Sequence, residues 1–284
     1  MLIGIIGGGK VGCCLAEYLH KAGLLCGITA STADHNKNLA ERFGLPIVSN
    51  LELVAKADVL LLTVPDRLVE QVAASLTSEK LSGKTFLHVS GSLGLEPLEQ
   101  LAKVQAHIGS LHPLQSFAAN VHTELQGVYM AIDGDEQAKQ VAIKLAKELG
   151  GTPFFVPAAE RAAYHAAACI CSNYAVTVEA LAQQLMARWT GSEEAAWEAL
   201  KPLFKGTANN LLIAKNAKTV LTGPIGRGDT NTIEKHLSVL PPELLATYCN
   251  LGQETVKVAL YNKTINNKAA EQLLRIMQQQ LEDK

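Results

Sequence analysis

Up to about residue 157 the chain alternates short apolar runs with longer amphipathic ones. "LIGII" precedes "GGGKVGCCLAEYLHKAG", "LLCGITAS" precedes "NLAERFG", "DVLLLTV" precedes "RLVEQVAASL", and "TFLHVSG" precedes "LEPLEQLA". "HIGSLHP", "VYMAI", the helix-like "DEQAKQVAIKLAKELG" and a final "TPFFV" follow. Apolar runs this short read as strands buried on both faces, so the alternation predicts a parallel sheet with helices on either side. After Pro157 only helical periodicity remains, over roughly 158–188, 192–217, 230–239, 242–263 and 267–282, with breaks at Gly191, Gly206, "TGPIGRGD" and "LPPE". The predicted architecture is α/β: a doubly wound parallel sheet in residues 1–157, then an all-helical domain in 158–284.

Composition narrows the partners. A chain of 284 residues with 48% hydrophobic and 18% charged residues has the balance of a folded protein that buries a core. Net charge is −2 and the 25 Lys and Arg are scattered, without the basic stripe that nucleic acid requires. No apolar run is long enough to span a membrane, and "MLIGII" lacks the basic start of a signal peptide. The six cysteines form no Cys-x-x-Cys pair and no disulfide-framework spacing, so they are expected to be reduced core thiols of a cytoplasmic protein.

The chemistry begins at "IIGGGKVGCCLA". Gly7, Gly9, Lys10, Val11 and Gly12 make a Gly-x-Gly-x-x-Gly turn between a strand and a helix. The first glycine permits the tight turn, the second lets backbone approach a pyrophosphate, and the third lets helix and strand pack closely. That context predicts a Rossmann-type dinucleotide site; the alternative is a purely structural glycine turn. Where NAD sites carry an acidic residue at the end of the second strand, this chain has Ala30, Ser31 and Thr32, with Asp34 displaced and Lys37 and His35 nearby. Hydroxyls tolerate a 2′-phosphate that a carboxylate repels, so NADP(H) is expected over NAD(H). "TVPD" (Thr63, Val64, Pro65) and "HVSGS" (Ser90, Gly91) follow further strands and are placed along the same ligand-bearing edge, Ser90 toward cofactor or substrate; the alternative for them is a turn without ligand.

Four polar residues are candidates for catalysis (His112, His165, Asn173 and Asp229), and Arg227 is one for binding substrate. His112, in "SLHPLQSF", precedes a proline that holds it extended, and it either faces a crevice or is a satisfied core histidine. In "YHAAACICSN", His165, Cys169 and Asn173 are spaced i, i+4, i+8 along one helical stripe. His165 and Asn173 either face a substrate or belong to a structural network with backbone carbonyls. In "GPIGRGD", Arg227 offers a planar fork for a carboxylate from a loop expected to fold over the cleft between the domains. Asp229 either accepts from a substrate hydroxyl or caps the helix that follows.

The glycine turn, "TVPD" and the helical second half resemble the superfamily of 6-phosphogluconate dehydrogenase, pyrroline-carboxylate reductase and ketopantoate reductase, over nearly the whole chain. Within it, "YHAAACICSNY" with "TGPIGRGDTNTIEKHL" is similar to a bacterial family of Rossmann-like proteins whose helical C-terminal domain has no defined function. Ketopantoate reductases start that domain with Lys-x-x-x-Asn-x-x-x-Asn, the lysine serving as general acid; here the spacing reads His165, Cys169, Asn173, so the last asparagine is kept, the lysine is a histidine and the middle asparagine a cysteine. The resemblance implies an NADPH-dependent reductase of a small 2-keto acid, with His165 as proton donor, Asn173 orienting the substrate, Asp229 a stand-in for a missing glutamate, and a homodimer. "HPLQSF" resembles the His-Pro-Met turn of prephenate dehydrogenases, which implies an oxidative alternative centred on His112. The missing lysine leaves a third alternative, a non-catalytic NADP(H)-binding sensor.

Overall fold

The computed structural model describes residues 1–77, 81–118 and 121–282. The chain divides into two compact units, Met1–Ala175 and Val176–Lys284. The first is built on seven strands: β1 (Ile3–Ile6), β2 (Leu25–Thr29), β3 (Val59–Leu62), β4 (Thr85–His88), β5 (His107–Pro113), β6 (Tyr129–Gly134) and β7 (Thr152–Phe155). They lie in the order β2-β1-β3-β4-β5-β6-β7. Helices α1 (Lys10–Lys21), α2 (Ala33–Phe43), α3 (Asn50–Lys56), α4 (Asp66–Ser75), α5 (Glu99–Lys103) and α6 (Glu136–Glu148) connect them, and α7 (Arg161–Cys171) follows the last strand.

The strands β1, β3 and β4 are buried at every position, because both faces of the sheet are covered. Ile3, Ile5, Leu61 and Leu87 pack with Leu15 and Leu19 of α1 and Leu145 of α6 on one face. Ile6, Leu60, Leu62 and Phe86 pack with Leu53 of α3, Val69 of α4 and Leu101 of α5 on the other. Side chains alternate across a strand with a period of two, so a continuous apolar run feeds two cores at once.

The all-parallel expectation needs one correction, since β6 runs antiparallel to β5 while the other neighbours are parallel. A parallel return requires a crossover that packs on the sheet, and no helix lies between β5 and β6 among the described residues. Helix α6 supplies that crossover one step later, and β7 is parallel to β6. The apolar pattern also passed over α3, although Ser49 and Glu52 form a reciprocal capping box at its start.

In the helical part, α8 (Asn173–Thr190), α9 (Glu193–Ile213), α10 (Thr230–Val239), α11 (Pro242–Tyr261) and α12 (Asn267–Glu282) follow the expected spans closely. The expected single helix over 158–188 is instead interrupted at Ser172, whose backbone (φ −110, ψ −66) departs from helical geometry between α7 and α8. Serine offers the backbone competing hydrogen bonds and is a common place for a helix to bend. Gly206, expected as a break, lies inside α9, as does Pro202. The second unit has its core where α10, α11 and α12 meet, around Ile233, Leu237, Val256, Leu273 and Met277. No residue of α8 is buried, and in α9 only Ala196 is. The cysteines are not all core thiols: Cys14, Cys26 and Cys249 are buried, but Cys171 is exposed on α7. Among the described residues no helix is long and apolar enough to cross a membrane.

Candidate active site

The order β2-β1-β3 places a topological switch between β1 and β3, where open parallel sheets bind ligands beyond the carboxyl ends of their strands. The glycine turn lies there, and each glycine is required differently. Gly7 has φ +123, and a Cβ there would sit 2.7 Å from the Thr63 carbonyl carbon. A Cβ on Gly12 would lie 1.9 Å from the Gly7 oxygen, so only glycine lets α1 approach the turn this closely. A Cβ on Gly9 would meet nothing within 4 Å. The space above Gly9 is open, and the N-cap glycine brings no side chain to the first-turn amides of α1, which suits an anion such as a pyrophosphate. Lys10 is exposed and Val11 half-buried at that helix start. The Thr63 hydroxyl donates to the Gly7 carbonyl and ties the β3 loop, with Val64 and Pro65, to the β1 turn.

At the end of β2, Ser31 and Thr32 are exposed. Thr32 caps α2, accepting from the His35 amide at 3.3 Å, and its O–H remains available as a donor. Asn36 closes the loop from below: it accepts from the Ala30 amide at 2.7 Å and donates to the Ala30 and Thr32 carbonyls. A loop held this way presents hydroxyls in a fixed orientation.

Two strands further along, the turn after β4 meets both candidate histidines. The Ser90 hydroxyl donates to Asp66 at 2.7 Å and accepts from the Ser92 and Leu93 amides, so it is engaged within the turn. Gly91 is the face the turn presents. A Cβ on Gly91 would lie 2.5 Å from His165 Cδ2 and 2.8 Å from His112 Nε2, so two imidazoles rest on this bare backbone. Their ring centroids are 6.1 Å apart. The other nitrogen of His112, Nδ1, is 2.6 Å from the Tyr164 hydroxyl. His165 Nδ1 lies 3.8 Å from Cys169 Sγ. Tyr164 also lines a cavity of about 300 Å³ with Leu114, Ala167, Ala168 and Cys171.

Burial sets the protonation here. His112 is pushed down to about 4, first by desolvation, then by the neighbouring His165 and Arg161. His88, fully buried beneath the turn with Nε2 at 2.8 Å from the Gly94 oxygen, is likewise lowered to about 4 by desolvation and Arg161. The Tyr164 hydroxyl is raised to about 12 by burial. At neutral pH the centre therefore contains a neutral His112 hydrogen-bonded to a protonated tyrosine.

Residues 1–113 match the model of a Rossmann-like domain, and residues 128–255 match a domain of unknown function, DUF2520. The chain thus joins a Rossmann-like domain to a DUF2520 domain. No functionally curated protein matches its sequence. The same fold occurs in solved structures of low sequence identity. A Bacteroides fragilis protein provisionally named an NADP oxidoreductase is 21% identical with a TM-score of 0.74, over 90% of this chain and 97% of its own. A Thermotoga maritima protein is 24% identical with a TM-score of 0.66, over 99% and 100%. The 1-pyrroline-5-carboxylate reductase of Streptococcus pyogenes is 19% identical with a TM-score of 0.62, over 91% and 98%.

Three candidates remain: Asn173, Arg227 and Asp229. Asn173 is exposed and lies past the interruption at Ser172, so it is not on one unbroken helix with His165 and Cys169, which face each other. Arg227 and Asp229 belong to the second unit. Arg227 is exposed at the end of a short 3-10 turn. Asp229 caps α10, with one carboxylate oxygen accepting from the Thr232 amide at 3.0 Å and the other from its hydroxyl at 2.7 Å, and these bonds lower its pKa. Sequence reasoning missed Tyr164, which adjoins His165 in the chain but finds its partner 52 residues away. It also missed Arg161 and His88, whose types carry no local signal of burial.

Proposed function

We propose that this protein is an NADPH-dependent reductase of a small carbonyl compound, in the first instance a 2-keto acid. The observation that carries the reading is Gly91: a strand end kept free of any side chain, two strands from an open anion-binding turn, with two imidazoles against it. NADPH, when bound, supplies the hydride. The hydroxyls of Ser31 and Thr32, without a carboxylate at the end of β2, fit a 2′-phosphate.

The side chains divide the remaining work. In this mechanism we assign the Tyr164 hydroxyl as donor to His112 Nδ1, 2.6 Å away, which leaves the proton of the neutral ring on Nε2, toward Gly91. That N–H orients the oxygen of the substrate. His165, half-buried, gives a proton to the oxygen as the carbonyl carbon receives the hydride, forming an alcohol. We assign Asp229 to capping.

A second reading, reduction of a C=N bond, is favoured by the pyrroline-5-carboxylate reductase that shares the fold. The test is NADPH oxidation with one panel of 2-keto acids that includes ketopantoate and one of cyclic imines, for wild type and His165→Ala. Turnover on the first panel, lost in the variant by about 10²-fold or more, supports the proposal. Turnover confined to imines moves it to the second reading, and tight NADPH binding without turnover on either panel leaves a cofactor-binding sensor. We further propose that a second copy of the chain covers the exposed apolar faces of α8 and α9.

A further inference from the structure

Arg161 opens α7 and is 1% exposed, the largest fully buried side chain among the described residues. One guanidinium nitrogen, Nη1, donates to the Ser90 carbonyl at 3.1 Å, and Nη2 donates to the Ser110 hydroxyl. Nε has no partner. Among the described residues no carboxylate forms an ion pair with it; Asp133, which pairs with Ser110 across β5 and β6, acts on it only at longer range. A buried cation without an ion-pair partner carries a desolvation cost that an apolar side chain would not. That cost has no return in packing alone. What the fork achieves is geometric, because it joins three elements: α7, the end of β4 and the middle of β5. Those elements carry His165, Gly91 and His112.

We infer that Arg161 is the positioning residue of this centre, clamping the Ser90–Gly91 turn onto the strand that carries His112 and the helix that carries His165. The inference rests on reading that centre as the reaction site. Its charge has a second effect. His112 is faced by Tyr164, His165 and Arg161 from α7, by His88 from β4 and by Asp66 from α4, and of these Arg161 is a permanent cation that disfavours a protonated ring.

The test compares Arg161→Met, Arg161→Lys and Ser110→Ala with the wild-type full chain, by amide hydrogen exchange at residues 90–93 and by NMR titration of histidine-labelled protein. Arg161→Met is expected to speed exchange of the Ser92 and Leu93 amides roughly tenfold to a hundredfold, the loss of one hydrogen bond from a charged group, and to raise the His112 midpoint. Arg161→Lys keeps the charge but cannot fork, so it is expected to restore the midpoint without restoring protection. Ser110→Ala is expected to weaken protection alone. Wild-type protection and midpoint in a folded Arg161→Met would overturn the inference; if that variant does not fold, wild-type protection in both of the others would do so. Neither readout needs cofactor or substrate, so a wild-type protein that fails to bind NADPH removes the proposed function and leaves this result standing.

Discussion

The methylene of Gly91 is the point on which the proposed chemistry turns. Gly91→Ala places a carbon 2.5 Å from His165 and 2.8 Å from His112, and both rings must move. Turnover on the active substrate is expected to fall at least about tenfold, since small misplacement of catalytic groups is costly, with NADPH affinity little changed; unaltered turnover, measured by steady-state kinetics, removes the two imidazoles from the mechanism. The buried histidines also set a pH limit on stability. His88 and His112 have folded values near 4 against an ordinary 6.5, so the folded state binds fewer protons than the unfolded chain between those values. Their contribution is complete above about pH 6.5 and is lost as pH falls through 4, roughly 3 kcal/mol for the fully buried His88. Melting temperature is expected to drop over that window, and less steeply in His88→Gln; parallel curves would refute the assignment. His112 and His165 were legible as candidates because each stands out in its own segment. Their meeting at Gly91 was not, because it joins residues far apart in the chain.

Helices and strands were mostly legible because periodicity is local. The run "VLLL" reads as a strand buried on both faces, and it is one. The direction of β6 was not legible, since direction depends on what the connection packs against. Nor did Gly206 and Pro202 end α9, although both are poor helix formers. A Cβ on Gly206 meets nothing within 4 Å, so Gly206→Ala is expected to stabilise the protein by up to about 1 kcal/mol in thermal or chemical unfolding. Asp229 tests cap against catalyst. Asp229→Ala should destabilise by about 1 kcal/mol, while Asp229→Asn, which caps equally well, should retain both stability and turnover. A stable Asp229→Asn without turnover would return the carboxylate to the chemistry.

Two expectations concern the chain as a body. Thr32→Asp keeps the N-cap of α2 but puts a carboxylate where a 2′-phosphate is expected, so NADPH binding should weaken about tenfold or more while NADH binding does not; equal wild-type affinities for the two would defeat the NADPH assignment. Leu212 and Ile213 are 83% and 84% exposed at the end of α9, and Leu203, Val176 and Trp189 are also exposed on α8 and α9. Two long helices that bury almost nothing within their own chain gain their stability from packing elsewhere. Light scattering is expected to give a dimer for the wild type and a monomer for the double variant Leu212→Glu, Ile213→Glu; a wild-type monomer would refute the second-copy proposal.

Hydrophobic spacing and the glycine turn were enough to specify the α/β sheet, the helical second half and the place of an anion-binding crevice, because each follows from contacts between near neighbours or from steric limits at single residues. Packing in three dimensions was needed to bring Ser90, Gly91, His112, Tyr164 and His165 together around a buried Arg161. It was needed equally to hold His112 neutral, since desolvation depends on everything around a group and on nothing in its own segment.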